Sequence, residues 1–104
     1  MDSFGPTGPV LVSTDSFPDP ADLELRTWVN EELRQQDRTS SLIFSIPKLI
    51  AFISRFVTLK TGDLIFTGTP EGVGFRNGVF LTDGDVVRTS IEGIGTLENR
   101  CIQI

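Results

Sequence analysis

Thr69 is the first side chain in this sequence with chemistry to offer. It lies in Gly62-Asp63-Leu64-Ile65-Phe66-Thr67-Gly68-Thr69-Pro70-Glu71-Gly72-Val73-Gly74. Glycines at this density, with a proline among them, forbid regular structure and leave backbone N–H groups free to face an anionic ligand. The Thr69 hydroxyl adds one more donor. No Gly-Lys-Ser/Thr follows, so the segment is not a P-loop, and Gly-x-x-x-Gly-x-Gly before a stretch with no helical pattern is not a dinucleotide fingerprint. Local rules leave two readings open: a wide turn between strands, or a cradle for an anion.

Other candidate groups are weaker. Glu71, Asp83 and Asp85 could be imagined as a carboxylate cluster for a cation, but Asp83-Gly84-Asp85 has the composition of an ordinary turn. Arg34, Arg38 and Arg55 could each pair with a substrate carboxylate, and Lys48 and Lys60 read as solvated flanks of a helix. The chain has no histidine, which excludes a Ser-His-Asp or Cys-His arrangement and any imidazole metal ligand. Acid–base work would fall to carboxylates, lysine or water.

The chain of 104 residues fits one domain or less, and 38% hydrophobic residues with eight Phe and one Trp can build a modest core. Nine basic against fourteen acidic residues give a net charge of −5, without the clustered Lys and Arg that phosphate backbones need. No nucleic-acid partner is expected. The single cysteine, Cys101, cannot form an intrachain disulfide; it reads as a packed thiol in a reducing compartment. No stretch reaches the ~18 apolar residues of a membrane span, and no basic-then-apolar leader is visible. These features point to a cytoplasmic protein with no membrane partner.

Several elements are expected to position the glycine loop. Pro9 to Thr14 reads as a strand, and 17–22 as a proline-rich connection. Leu23, Leu25, Thr27 and Val29 alternate with Glu24, Arg26 and Trp28, the period of a strand with one buried face. Asn30-Glu31 turns the chain, and Glu32 to Gln35 returns as the second hairpin arm. Ser45 as N-cap, Pro47 in the first turn and Leu49, Ile50, Ile53, Phe56 and Val57 at helical spacing predict a helix closed by Thr61-Gly62. Leu64 to Phe66 is expected as a short buried strand, with further strands over 86–91, 95–98 and 101–104. The fold class is mostly β with one helix, a barrel or rolled sheet.

Taken in order, these segments resemble the C-terminal part of the fumarylacetoacetate hydrolase family. The resemblance is carried by Gly5-Pro6-Thr7-Gly8-Pro9, Phe17 to Leu23, Val29-Asn30-Glu31-Glu32-Leu33-Arg34-Gln35 and Thr39 to Pro47. It continues through Gly62 to Gly74, Asp83 to Val86 and Ile91 to Asn99, with Thr67-Gly68-Thr69-Pro70-x-Gly72-Val73-Gly74 its most specific part. It implies the C-terminal portion of a mixed β-sandwich roll, with 1–104 a single partial domain.

The resemblance further implies a metal-dependent enzyme of 2-oxo and 2,4-dioxo acids, hydrolysing a carbon–carbon bond of the acylpyruvate or fumarylacetoacetate type. Isomerase or decarboxylase chemistry is the alternative, and a non-catalytic subunit or remnant is a third. A divalent ion, Mg²⁺ or Mn²⁺, would chelate the substrate's 2-oxo acid oxygens and stabilise an enolate. By the same resemblance Thr69, Gly68 and Pro70 bind the substrate carboxylate, while Glu71 occupies a variable position and receives no role.

The family's three acidic metal ligands and its active-site lysine precede the first matching segment. This sequence is therefore expected to hold no metal ligand and no catalytic residue, and Asp2 fits the family pattern only loosely. The ion's ligands would come from a partner chain or another copy, which favours a homo-oligomer. Glu31 departs from the family's turn glycine, which predicts an altered hairpin.

Overall fold

The computed structural model describes residues 3–16 and 19–103. Its framework is one antiparallel sheet of four strands in the order β2-β1-β3-β4. These are β1 (Glu24–Val29), β2 (Glu32–Arg38), β3 (Val86–Ile91) and β4 (Gly95–Arg100). Helix α1 (Ile46–Ile53) and the single turn α2 (Gly74–Asn77) lie in the long connection between β2 and β3. The expected class, mostly β with a helix, is the one observed.

Strand β1 is central because its alternation suits it to pair on both sides. Leu25, Thr27 and Val29 stand opposite Ile91, Thr89 and Val87 of β3 and make one apolar face. On the other face Trp28 is opposite Arg88, whose guanidinium lies 5.0 Å from the ring centroid. Pairing with β2 is less regular. Thr27 faces Gln35 but Trp28 faces Leu33, so Arg34 is the extra residue of a β-bulge. The returning strand runs to Arg38, three residues past the expected end at Gln35.

In the hairpin turn Glu31 is spared the positive φ that would strain it. Positive φ, 55°, falls on Asn30, a residue that tolerates it because its amide can bond locally. That amide also ties the turn to the start of β3, since Nδ2 donates to Asp85 Oδ1 at 2.9 Å and Val86 N donates to Oδ1 at 3.0 Å. Asp85 in turn accepts from Thr82 N at 2.7 Å and Thr82 Oγ1 at 3.0 Å.

A second polar junction joins the other ends of β2 and β3. Arg38 Nε donates to Asp22 Oδ1 at 2.7 Å, Arg38 Nη2 reaches Glu92 Oε2 at 3.2 Å, and Ser40 Oγ donates to Asp22 Oδ1 at 2.6 Å. The Arg38 hydrogen bond and then the Ser40 hydroxyl hold the Asp22 carboxyl below its ordinary value of 3.8. The Asn30 amide, followed by Thr82, does the same for Asp85.

Several local expectations fail. Residues 9–13 form no strand, and Thr14–Ser16 is a short 3₁₀ turn. Leu64 to Phe66 and Cys101 to Gln103 pair with no strand among the described residues, and Leu64 and Phe66 are 67% and 86% exposed rather than buried. An apolar run has strand propensity, but only a partner with free N–H and C=O groups makes it a strand. The expectation at 17–18 lies outside the described residues.

Helix α1 begins as expected, with Ser45 at the N-cap and Pro47 in the first turn, although the Ser45 side chain makes no capping bond. It ends at Ile53, well before Gly62, and a Lys60–Asp63 turn follows in which Asp63 Oδ2 accepts from Lys60 N at 2.8 Å. The helical turn α2 was not expected after the glycine loop. It closes on Gly78 in the left-handed conformation.

Leu23 is the one apolar side chain buried outright among the described residues, and it is clamped to Thr39 by hydrogen bonds of 2.8 and 2.9 Å. Phe44, Phe52, Phe56, Phe66, Phe75 and Phe80 are all more than half exposed.

Two outcomes follow from the polar junctions. Asp22 and Asp85 bind protons more weakly folded than unfolded, so their stabilisation is complete above the ordinary carboxylate range. It is lost as pH falls through the depressed values below 3.8. Urea unfolding measured from about pH 5 downwards should show this loss, and Asp22→Asn should flatten the slope. Asn30→Ala removes both the amide bonds and the residue suited to positive φ, and should cost about 1–3 kcal/mol in the same measurement.

Candidate functional site

The glycine loop is held against the bulge of β2. Gly72 adopts φ of 100°, and a Cβ placed there would stand 2.0 Å from the Arg34 carbonyl oxygen. Both constraints require glycine: the left-handed conformation, and a backbone approach that leaves no room for a methyl group. The bulged Arg34 is what presents that carbonyl to the loop, since it has no partner in the ladder with β1.

Next to it, Gln35 reaches into the loop. Its Nε2 lies 2.9 Å from Thr69 Oγ1, 3.0 Å from Pro70 O and 3.3 Å from Glu71 O. Sequence reasoning missed this residue. A glutamine in a hairpin arm has the signature of a solvated position, and its only signal was its place among the segments that carry the family resemblance.

The structure brings Gly68, Thr69 and Pro70 together on one wall of a hollow of about 280 Å³. Gly68 has φ of 121°, open only to glycine in practice. Gly68 and Thr69 are exposed and Pro70 is half-buried. Among the described residues, the backbone N–H groups of Thr67, Gly68, Thr69, Glu71 and Gly72 donate to no protein backbone acceptor. Such a row of unengaged donors is the chemistry of an anion cradle. The facing wall contains Leu25, Asp37, Arg38, Thr39 and Leu49. Asp37 is an anion there, since the Ser41 hydroxyl and the Arg38 N–H hold its carboxyl below the ordinary value.

A larger cleft of about 600 Å³ lies on the far side of the loop, lined by Gly72, Val73, Val79, Phe80, Val87 and Asp85 among others. Size alone does not make it the binding site: Thr67, Gly68, Thr69 and Pro70 line the smaller hollow, whereas of the donors at 67–72 this cleft takes only Gly72. The three candidate arginines separate. Arg34 lines the larger cleft and pairs with Glu32 at 3.1 Å, Arg38 is committed to Asp22 and Glu92, and Arg55 stands 5.9 Å from the Phe56 ring centroid.

The acidic residues do not assemble into a cation site. Asp85 uses both oxygens on Asn30 and Thr82, and Asp83 Oδ1 accepts from Gln103 N at 2.8 Å. They serve as turn residues. Among the described residues no group of three or more His, Cys, Asp or Glu could hold a metal ion. Asp2 lies outside those residues.

Gly72→Ala should therefore detach the loop from β2, at a cost of about 2 kcal/mol or more in thermal unfolding. Amide exchange at 68–72 should rise with it.

Comparison with known proteins agrees with this geometry. Residues 1–102 match the family model described as fumarylacetoacetate (FAA) hydrolase C-terminal. The 4-hydroxyphenylacetate degradation bifunctional isomerase/decarboxylase of Escherichia coli is 46% identical over 101 residues, covering 97% of this chain and 22% of the relative. Other relatives carry the name oxaloacetate tautomerase. The solved fumarylacetoacetate hydrolase of Exiguobacterium antarcticum superposes with a TM-score of 0.93 at 46% identity, covering all of this chain and 38% of that one. The maleylpyruvate hydrolase of Sphingobium sp. SYK-6, solved with manganese(II) ion and pyruvate, superposes with a TM-score of 0.85 at 42% identity, over 92% of this chain and 34% of that one.

This chain thus spans between about a fifth and two fifths of the length of such proteins. With the match running through the loop, the bulge and all four strands, the chain belongs to the fumarylacetoacetate hydrolase family, whose C-terminal region it matches.

Proposed function

We propose that this chain supplies the substrate-carboxylate wall of an active site that cleaves a carbon–carbon bond in 2,4-dioxo acids of the acylpyruvate or fumarylacetoacetate type. The observation that carries the reading is the donor array at 67–72: unengaged N–H groups with the Thr69 hydroxyl among them, held open by Gly68 and shaped by Pro70. A carboxylate seated there would accept from Thr69 and from the loop backbone, and its fixed position would orient the rest of the dioxo acid. The manganese ion and pyruvate bound by the Sphingobium relative support a 2-oxo acid as the ligand class.

The described residues do not fit the Mg²⁺ or Mn²⁺ that this reading implies, because no three acidic groups among them cluster, and Asp83 and Asp85 are engaged in turns. The ion's ligands would come from polypeptide beyond the described residues. A partner chain or another copy would then complete the site. The exposed Phe66, Phe75 and Phe80 suit burial in such an assembly. The free Cys101 fits a reducing, cytoplasmic setting.

A second reading, isomerisation or decarboxylation of 2-oxo dicarboxylates, is favoured by the E. coli relative's name and uses the same carboxylate wall. A third, a subunit that binds without turnover, uses it as well.

Thr69→Val should weaken oxalate binding about tenfold, read by ¹H–¹⁵N titration of the Gly68 and Thr69 amides. Equal affinity would remove the carboxylate wall. Incubated with Mg²⁺ and acetylpyruvate, the chain by itself should leave the enol absorbance unchanged. Turnover abolished by EDTA would show that it carries metal ligands after all.

A further inference from the structure

The contact between Gln35 and Thr69 decides more than where the loop lies. Two of the three oxygens facing the Gln35 carboxamide are the carbonyls of Pro70 and Glu71, which can only accept. The carboxamide nitrogen, not its oxygen, therefore faces the loop; its two protons are shared among three acceptors, and the shortest contact, to Thr69 Oγ1 at 2.9 Å, has Gln35 as donor. A hydroxyl carries one proton. With a lone pair of Oγ1 occupied by Gln35, that proton is left for a different acceptor, and none among the described protein atoms takes it.

We infer that Gln35 is a positioning residue that fixes Thr69 as a hydrogen-bond donor, and so commits the loop to ligands presenting carboxylate or carbonyl oxygen. Without that bond the hydroxyl proton could turn toward position 35 and away from the ligand. The β-bulge makes the contact possible. By leaving Arg34 unpaired it returns Gln35 to register opposite Thr27, on the sheet face against which the loop packs. A residue of the same length that only accepts would invert the arrangement. Glutamate at this position would draw the Thr69 proton to itself and set a carboxylate against two carbonyl oxygens. The inference rests on the carboxylate reading of the loop.

The test is a double-mutant cycle read by oxalate titration of the Gly68 and Thr69 amides in the full chain. Gln35→Glu should weaken oxalate about tenfold, as Thr69→Val does. Because that glutamate also faces the Pro70 and Glu71 carbonyls, coupling is read with the neutral Gln35→Met, whose double variant with Thr69→Val should be no weaker than Thr69→Val alone. Gln35→Met gives a second arm should Gln35→Glu lose the folded amide spectrum. It frees the hydroxyl to rotate without inverting it, and should weaken oxalate by about threefold only when Thr69 is present.

Parent-like affinity in both Gln35 variants while Thr69→Val is weakened would overturn the role of Gln35 and leave the carboxylate reading standing. Losses that multiply in the Gln35→Met, Thr69→Val double variant would also overturn it, since Gln35 would then act on the ligand or the loop without passing through Thr69. Unchanged affinity in Thr69→Val would overturn the carboxylate reading and this inference together.

Discussion

The site depends on one interruption in a hydrogen-bonded ladder. Between Thr27 and Trp28 the register with β2 shifts, and Arg34 is left with no partner on β1. A regular hairpin would put successive β2 residues alternately on the two faces in unbroken register with β1. The bulge instead presents the Arg34 carbonyl to Gly72 and sets Gln35 under Thr69. A loop with no regular structure of its own thereby receives a fixed position from a strand that has one.

The sheet in turn is stabilised where polar groups lock strand ends together. Asn30 and Asp85 fasten the hairpin turn to the start of β3, and Arg38 fastens Asp22 to Glu92 at the opposite end. Each of these pairs is exposed, so its stabilisation is screened by solvent and is small singly. Their value is geometric: they pin both ends of β1's neighbours and so fix the register that places the bulge. Apolar burial contributes little within this chain, where Leu23 is the one side chain fully covered among the described residues. Ile50 and Phe52 of α1 and Phe66, Phe75 and Phe80 are left exposed.

Much of the framework was legible before any coordinates. Period-two alternation over 23–29 gave β1, the Asn30-Glu31 pair gave the turn, and Ser45 with Pro47 gave the start of α1, because each signal is written within a few neighbouring residues. The expected strands at 9–14, 64–66 and 101–104 failed for a shared reason. A strand needs a partner, and nothing in a local apolar run states whether one is there. The early end of α1 is similar, since helical spacing of apolar residues continues past Ile53 while the backbone does not. Gln35 was invisible for the opposite reason: its role arises from contacts with residues more than thirty positions away.

The sequence by itself determined the identity of the loop. Gly68, Thr69, Pro70, Gly72 and Gly74 in that order place it within a family and forbid it regular structure, since backbone freedom and the lack of a proline N–H are properties of residue type alone. It also determined, through the missing histidines, which kinds of catalysis this chain could not perform. Only the tertiary structure set what surrounds the loop. It separated the candidate arginines and turned Asp83 and Asp85 into turn residues. It also brought Gln35 to Thr69, because a contact between side chains more than thirty positions apart is made by the packing of loop on strand and not by local residue type.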